Sequence, residues 1–220
     1  MDTGTYIDME GSWQFNDEVA ARFELEARTH IPNYEAVVQK CVDIALDSFQ
    51  GRANAKILDV GSATGYTMER LMAAGFSEVY GVDNSKAMIQ RSRLKDRVFH
   101  SNSFPKEHAP FDMVLANWTL HFIPERETYI TDIKASLNAN GVFVLTDKMD
   151  SSKFVHDQYH DFKRSMGVTE EEIARKEASI AGVLQTKPLE WYLETLNGLG
   201  FKNVNVIDAP YCFATLIAFA

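Results

Sequence analysis

Cysteine is scarce. Cys41 and Cys212 are the only two, with no CxxC and no Cys/His spacing around them, so neither a disulfide framework nor a metal site is expected. Buried free thiols in a reducing cytoplasm are the default, Cys41 inside a helical pattern and Cys212 inside a strand pattern. Positive charge is also in short supply: 22 Lys and Arg stand against 31 Asp and Glu, a net charge of -9. Nucleic acid is therefore disfavoured as a partner, since nothing offers a broad phosphate-binding surface. No apolar run reaches the ~20 residues of a membrane span. The first residues, "MDTGTYIDMEGSWQF", carry acids instead of a basic start and an apolar stretch, so no membrane partner is expected and the localisation reads as cytoplasmic. Internal repeats and low-complexity tracts are lacking too.

What is present is 45% hydrophobic and 24% charged residues over a length of 220, enough for one sizeable domain. After a polar N-terminal arm, "IPNYEAVVQKCVDIALDSF" has helical spacing with Pro32 in its first turn. From residue 56 the period changes. "KILDVG", "EVYGVD", "RVFHSN", "FDMVLANW" and "GVFVLTDK" are short apolar runs separated by segments that read as helices, the alternation of a parallel sheet buried on both faces. Ser85 precedes one helix, Pro124 opens another that ends at a "NANG" turn, and Thr169 with Glu172 makes a capping-box pattern. The chain closes with "NVNVIDAP" and "CFATLIAFA", joined too tightly for anything but a hairpin. The expectation is an α/β fold with a Rossmann-like seven-stranded mixed sheet, five strands parallel and the last pair antiparallel. Residues 1–50 then form an arm and helix over the site, and 151–187 a helical insertion over the C-terminal sheet edge, all within one domain spanning 1–220.

"DVGSATG" follows the first strand, where ligands of open α/β sheets bind. Gly61 and Gly65 allow close approach, and Asp59 lies within reach of a polar group or an ammonium. The spacing departs from G-x-G-x-x-G, with Ala63 and Tyr66 at the second and third glycine places, so a pyrophosphate is poorly provided for. No Lys-Ser/Thr ending of a Walker loop follows. Asp83 ends the second strand in "VYGVDNS", where a carboxylate can accept from both ribose hydroxyls. Loop and acid together point to a ribose-containing cofactor without phosphates; a plain tight turn is the alternative.

"ILDVGSATG" with "GVDNSKAMIQRSR" resembles motifs I and II of class I S-adenosylmethionine-dependent methyltransferases. The resemblance implies S-adenosyl-L-methionine as cofactor, with Gly61, Ser62, Ala63 and Gly65 as backbone contacts, Asp83 on the ribose, Asn84 beside the adenine, and Asn102 where the family has an acid near the adenine amine. A narrower likeness runs over nearly the whole chain: Trp13 and Phe15 as "W-x-F", "IPNY" at 31–34, "DNSKAMI" at 83–89, "ANWTLHFIPERE" at 116–127 and "HDFKRSMGVTEEEI" at 160–173. These resemble the carboxy-S-adenosylmethionine synthase family, which takes prephenate as carboxyl source and whose product, carboxy-S-adenosyl-L-methionine, serves wobble-uridine modification of tRNA. Counted without gaps, the arginine that holds the new carboxylate in that family falls on Glu177. Arg175 lies about 200° and Lys176 about 100° round the helix from it. That change of sign favours a methyltransferase acting on a small-molecule acceptor; a carboxy-S-adenosylmethionine synthase with a relocated cation, and a non-catalytic cofactor-binding protein, are the alternatives. Scaffold relatives imply a homodimer.

Three further candidates stay open. Tyr34 reads either as a contact to the methionine end or as a packing tyrosine. Asn117 ends the fourth strand beside the acceptor position, without the Pro-Pro-aromatic of DNA amino-methylating enzymes. His121 reads as a general base or as a packed helix-face residue, while His160, Asp161 and Arg164 read as a polar cluster under the inserted helices.

Overall fold

The structure, a computed structural model, describes residues 15–220; Trp13 and the first part of the arm lie outside the described residues. Seven strands form one mixed sheet: β1 (Ile57–Val60), β2 (Val79–Asp83), β3 (Val98–His100), β4 (Phe111–Asn117), β5 (Leu137–Lys148), β6 (Lys202–Asp208) and β7 (Phe213–Phe219), in the order β3-β2-β1-β4-β5-β7-β6. Strands β1 to β5 are mutually parallel, and β7 runs antiparallel between β5 and β6. Around them lie α1 (Asp17–His30), α2 (Tyr34–Phe49), α3 (Tyr66–Ala73), α4 (Lys86–Arg91), α5 (Arg126–Ser136), α6 (Lys153–Ser165), α7 (Glu170–Ile180) and α8 (Leu189–Gly198). No helix among the described residues is long and apolar enough to cross a membrane.

Neighbouring strand residues explain the two layers, because successive side chains point to opposite faces. Ile57, Met113, Leu115, Val142 and Val144 pack with Cys41, Val42 and Ala45 of α2 and Leu71 of α3. Leu58, Val114, Phe143 and Leu145 face the other way, onto Ile130 and Ile133 of α5 and Tyr192 and Leu196 of α8. All these side chains are buried, which is why the strands read as unbroken apolar runs.

Four local features differ from the sequence expectation. Residues 17–30 are helical, not an extended arm: Asn16 accepts from the backbone N–H of Glu18 and Val19, and acids follow in the first turn. "NANG" belongs to β5, where Asn140 takes φ 64 and the register slips between Phe111 and Met113; the turn survives as an irregularity within the strand. The helix after Ser85 stops at Arg91, and Cys212 stands just before β7 instead of within it. Both cysteines are free and buried. The capping box of Thr169 and Glu172 forms as expected.

Candidate active site

From β1 the chain moves outward to β2 and β3, then crosses back to β4 and β5. The carboxyl ends of β1 and β4 therefore flank a topological switch point, and a cavity of about 540 Å³ opens there. Tyr34, Asp59, Gly61, Ser62, Ala63, Asp83, Asn84, Asn102, Asn117 and His121 all line it. Gly65 does not. It starts α3 at φ 87, and a Cβ there would lie 2.4 Å from Ser92 Oγ, so this glycine answers to a neighbouring turn and not to a ligand.

Gly61 is bare for two reasons. Its φ is 67, and a Cβ would fall 2.1 Å from Thr119 Oγ1; Thr119 in turn donates to Val60 O at 3.1 Å. Ala63 also adopts a left-handed conformation, φ 47, which costs an L-residue of this kind roughly 1 to 3 kcal/mol. The Ala63 N–H donates to Asp83 Oδ2 at 2.8 Å, and Asp83 Oδ1 accepts from Ser85 N at 2.8 Å. One carboxylate thus fixes the loop and the start of α4 together.

Three buried polar atoms on this cavity have no hydrogen-bond partner among the described residues: Ser62 Oγ, Asn117 Oδ1 and Trp118 Nε1. Each unpaired group costs about 1 to 3 kcal/mol; Ser62 Oγ faces the Gly81 backbone. Asn117 Nδ2 reaches Cys41 Sγ at 3.4 Å. Asp59 is 4% exposed; burial first, and then the nearby Asp83 charge, pushes its pKa up to about 8. Tyr34 stacks on Trp118 at 4.8 Å and on Tyr66 at 5.9 Å.

The outer side of the cavity is lined by residues distant in sequence, from α1 and from the end of α7. Val19 of α1 and Met88 of α4 are buried together, with Phe15, Phe23, Phe122, Ile180 and Val183 packed around them. Arg28 pairs with Glu35 at 2.6 Å, and Ser85 Oγ donates to Phe15 O at 2.6 Å, tying α1 to α2 and α4.

Opposite the loop, His121 sits in a short helical turn, Leu120–Phe122, with its Nδ1 in contact with Asp147 Oδ1. The Asp147 Oδ2 accepts from Tyr192 OH at 2.5 Å, whose oxygen accepts from Arg126 Nη1 at 2.6 Å. All four residues are buried. Beside them, Lys148 and Lys163 lie over the Tyr159 ring at 5.1 and 4.3 Å from its centroid. Burial, then the Lys148 charge, brings the Lys163 ammonium down to about 8. Glu177 lines the same wall and accepts from His160 Nε2 at 2.6 Å. Lys176 pairs with Glu26 at 3.7 Å, and Arg175 does not border the cavity.

The expected cluster of His160, Asp161 and Arg164 divides in two. Arg164 pairs with Asp161 at 2.6 Å and with Glu170 on an exposed surface, while His160 turns to Glu177. Residues missed in the sequence are Trp118, Thr119, Lys148, Tyr159 and Lys163, along with the helical form of residues 17–30. For α1 a signal existed: Asn16 before two acids, then Val19, Ala20, Phe23 and Ala27 at helical spacing.

Residues 58–145 match the methyltransferase domain family. The chain is 32% identical to a carboxy-S-adenosyl-L-methionine synthase of Nautilia profundicola, over 96% of both chains. Identity is 29% to the enzyme of that name from Sodalis glossinidius, over 94% of this chain and 91% of the relative. Among solved structures, a magnesium protoporphyrin IX methyltransferase from Synechocystis superposes with TM-score 0.65 and 14% identity, over 93% of this chain and 95% of the other. A methyltransferase from Archaeoglobus fulgidus gives TM-score 0.63 and 16% identity over 90% and 99%; at such identities the likeness is one of fold. The chain belongs to the carboxy-S-adenosyl-L-methionine synthase family, transferases of the class I methyltransferase fold whose cofactor is S-adenosyl-L-methionine or its carboxylated form.

Proposed function

We propose that this protein transfers a methyl group from S-adenosylmethionine to a small-molecule acceptor. The cavity fits the cofactor by size, since small-ligand sites span roughly 300 to 1,000 Å³, and by its place at the carboxyl ends of β1 and β4. In this reading Asp83, Asn84 and Asn102 hold the adenosine, the Gly61–Ala63 turn lies under the methionine, and Asp59 takes the ammonium. The sulfonium supplies an activated methyl; the chain's own part is alignment and exclusion of water. His121, which lines the cavity and whose Nδ1 meets both Lys148 N and Asp147, is the candidate general base in this reading.

One observation carries the choice of methyl over carboxymethyl. Glu177, at the family's carboxylate-binding arginine position, is a carboxylate on the cavity wall, and of its two neighbouring cations Arg175 does not line the cavity while Lys176, which does, is shared with Glu26 at 3.7 Å. Two like charges 4 Å apart repel by roughly 1 to 4 kcal/mol between water and a partly dry site. The second reading, a carboxy-S-adenosylmethionine synthase using prephenate, draws on Lys148 and Lys163, two ammoniums on the same wall.

Mass spectrometry of the small molecule that travels with the purified protein separates them. S-adenosylmethionine or its demethylated product is expected; a species heavier by one carbon dioxide unit, or its formation from S-adenosylmethionine and prephenate, establishes the second reading instead. In the same assay, Glu177→Arg should increase retention of the carboxylated cofactor by about tenfold or more.

Asp59 gives a pH test. An ammonium beside it favours the ionised form, so cofactor binding at pH 7 should expel close to one proton. Affinity should rise by up to about tenfold per unit as pH approaches the Asp59 value near 8 and level off above it. Calorimetry in buffers of different ionisation enthalpy measures the proton. A buffer-independent enthalpy, or the same pH profile in Asp59→Asn, removes Asp59 from the cofactor contacts.

A further inference from the structure

Beyond the transfer site, one group of metal-donor side chains comes together among the described residues. His156 and His160 are one turn apart on α6, and i,i+4 spacing places both imidazoles on one helix face. Across from them α7 presents Glu177. Its Oε1 lies 2.6 Å from His160 Nε2 and 3.5 Å from His156 Nε2, the two rings are 4.5 Å apart, and one donor atom from each residue falls within 4.8 Å of the others. Ligands bonded at about 2.0 to 2.2 Å around a tetrahedral zinc ion are about 3.3 Å from one another. The His156–Glu177 spacing is close to that, and the His160–Glu177 hydrogen bond needs only to open as neutral His160 moves its proton to Nδ1 and turns the Nε2 lone pair to the metal. All three side chains are partly exposed, so an ion can reach them.

We infer that His156, His160 and Glu177 form a binding site for a divalent transition-metal ion, zinc being the best match, beside the transfer cavity, whose wall Glu177 alone of the three lines. Two imidazoles and one carboxylate are a known kind of zinc donor set, and three protein ligands leave a coordination position open. The softer imidazole nitrogen donors select against hard ions such as magnesium or calcium, which demand oxygen ligands. Charge gives the site a role. With a divalent ion bound, the Glu177 corner changes from a net charge of -1 to +1, the sign of the arginine expected at this position. An anionic oxygen of an acceptor would then meet a cation at the wall; this last step rests on the proposed transfer, whereas the metal site does not.

The test is zinc titration of chelator-stripped protein against a chromophoric competitor, with cobalt(II) absorption recorded in parallel. One ion per chain is expected. Affinity should fall in His160→Ala and in Glu177→Gln by more than the roughly ten- to 100-fold that loss of an outer-shell partner produces, and stay unchanged in His108→Ala, a histidine outside the cluster. Circular dichroism and cofactor binding on the same variants show that the fold persists; Glu177→Gln keeps the shape of the side chain, so it reports on the site even if His160→Ala unfolds. No zinc binding by the parent protein, equal affinity in parent and Glu177→Gln, or an equal loss in His108→Ala overturns the inference. None of these outcomes depends on methyl transfer, so the two conclusions fail separately.

Discussion

Gly61→Ala is expected to lower the stability of the fold by roughly 2 to 5 kcal/mol. About 1 to 2 kcal/mol comes from forcing an L-residue into the left-handed backbone region, where Gly61 has φ 67. A further 1 to 3 kcal/mol comes from overpacking, because the new methyl would sit 2.1 Å from Thr119 Oγ1 and 2.9 Å from Thr119 Cβ. Thr119 has little room to give, since its hydroxyl already bonds to the carbonyls of Val60 and Asn117. Gly51→Ala supplies the comparison: φ is 77 there and nothing lies within 4 Å of the added Cβ, leaving the backbone cost alone. Denaturant unfolding of both variants measures the difference as a shift in midpoint at constant slope. Equal shifts would show that the Thr119 contact has no weight, and Gly61→Ala combined with Thr119→Ala should recover part of the loss.

Loss of the Asp83 carboxylate should weaken cofactor binding by about 1.5 to 3 kcal/mol, roughly ten- to 150-fold. Part of this is the direct charge-assisted contact proposed for the ribose. The rest is indirect, because Asp83 holds Ala63 N and Ser85 N at 2.8 Å each, and without it the strained loop loses its tether. Asp83→Asn is not a mild substitute. An amide offers one oxygen where two backbone N–H groups need acceptors, so one of them would face an NH2. Calorimetric titration of Asp83→Ala with S-adenosylmethionine decides the matter, and unchanged affinity would remove Asp83 from the cofactor site. Unfolding of the same variant separates damage to the loop from loss of the contact.

The centre of the sheet was legible in the sequence because β1, β4 and most of β5 are buried on both faces and carry no polar alternation to be confused with a surface, whereas the edge strand β6 is largely exposed. Asp83 and Asn117 were legible for a different reason: each is the polar residue that ends an apolar run, and chain topology sends every such end to the same crevice. Ala63 looked like a departure from a glycine pattern, yet its φ of 47 places it where glycine would be at ease; backbone demand, not residue type, was the hidden variable. The far wall of the cavity was harder to read. His121 meets Asp147, and Lys163 meets Lys148, only after β5 and the segments around it have been brought side by side, and no local spacing encodes that; Tyr159 and Lys163, four apart on α6, were the local part of that wall. Helix α1 was missed because its charged residues outweigh Val19, Ala20 and Ala27 in composition, whereas its stability lies in the Asn16 cap and in packing on Met88.

The limbs of the α6–α7 excursion leave and return at one place. Met149 forms a bridge with Lys187, Asp150 N donates to Lys187 O at 3.0 Å, and Met149 N donates to Cys212 O at 2.7 Å. A segment whose two stems are already fastened to each other resembles an interchangeable tool head: its interior can be rewritten, lengthened or exchanged between relatives while the shaft stays as it is. Selection for a new acceptor would therefore act first between those stems, where Lys163, Lys176 and Glu177 reside, and leave the nucleoside half of the cavity untouched.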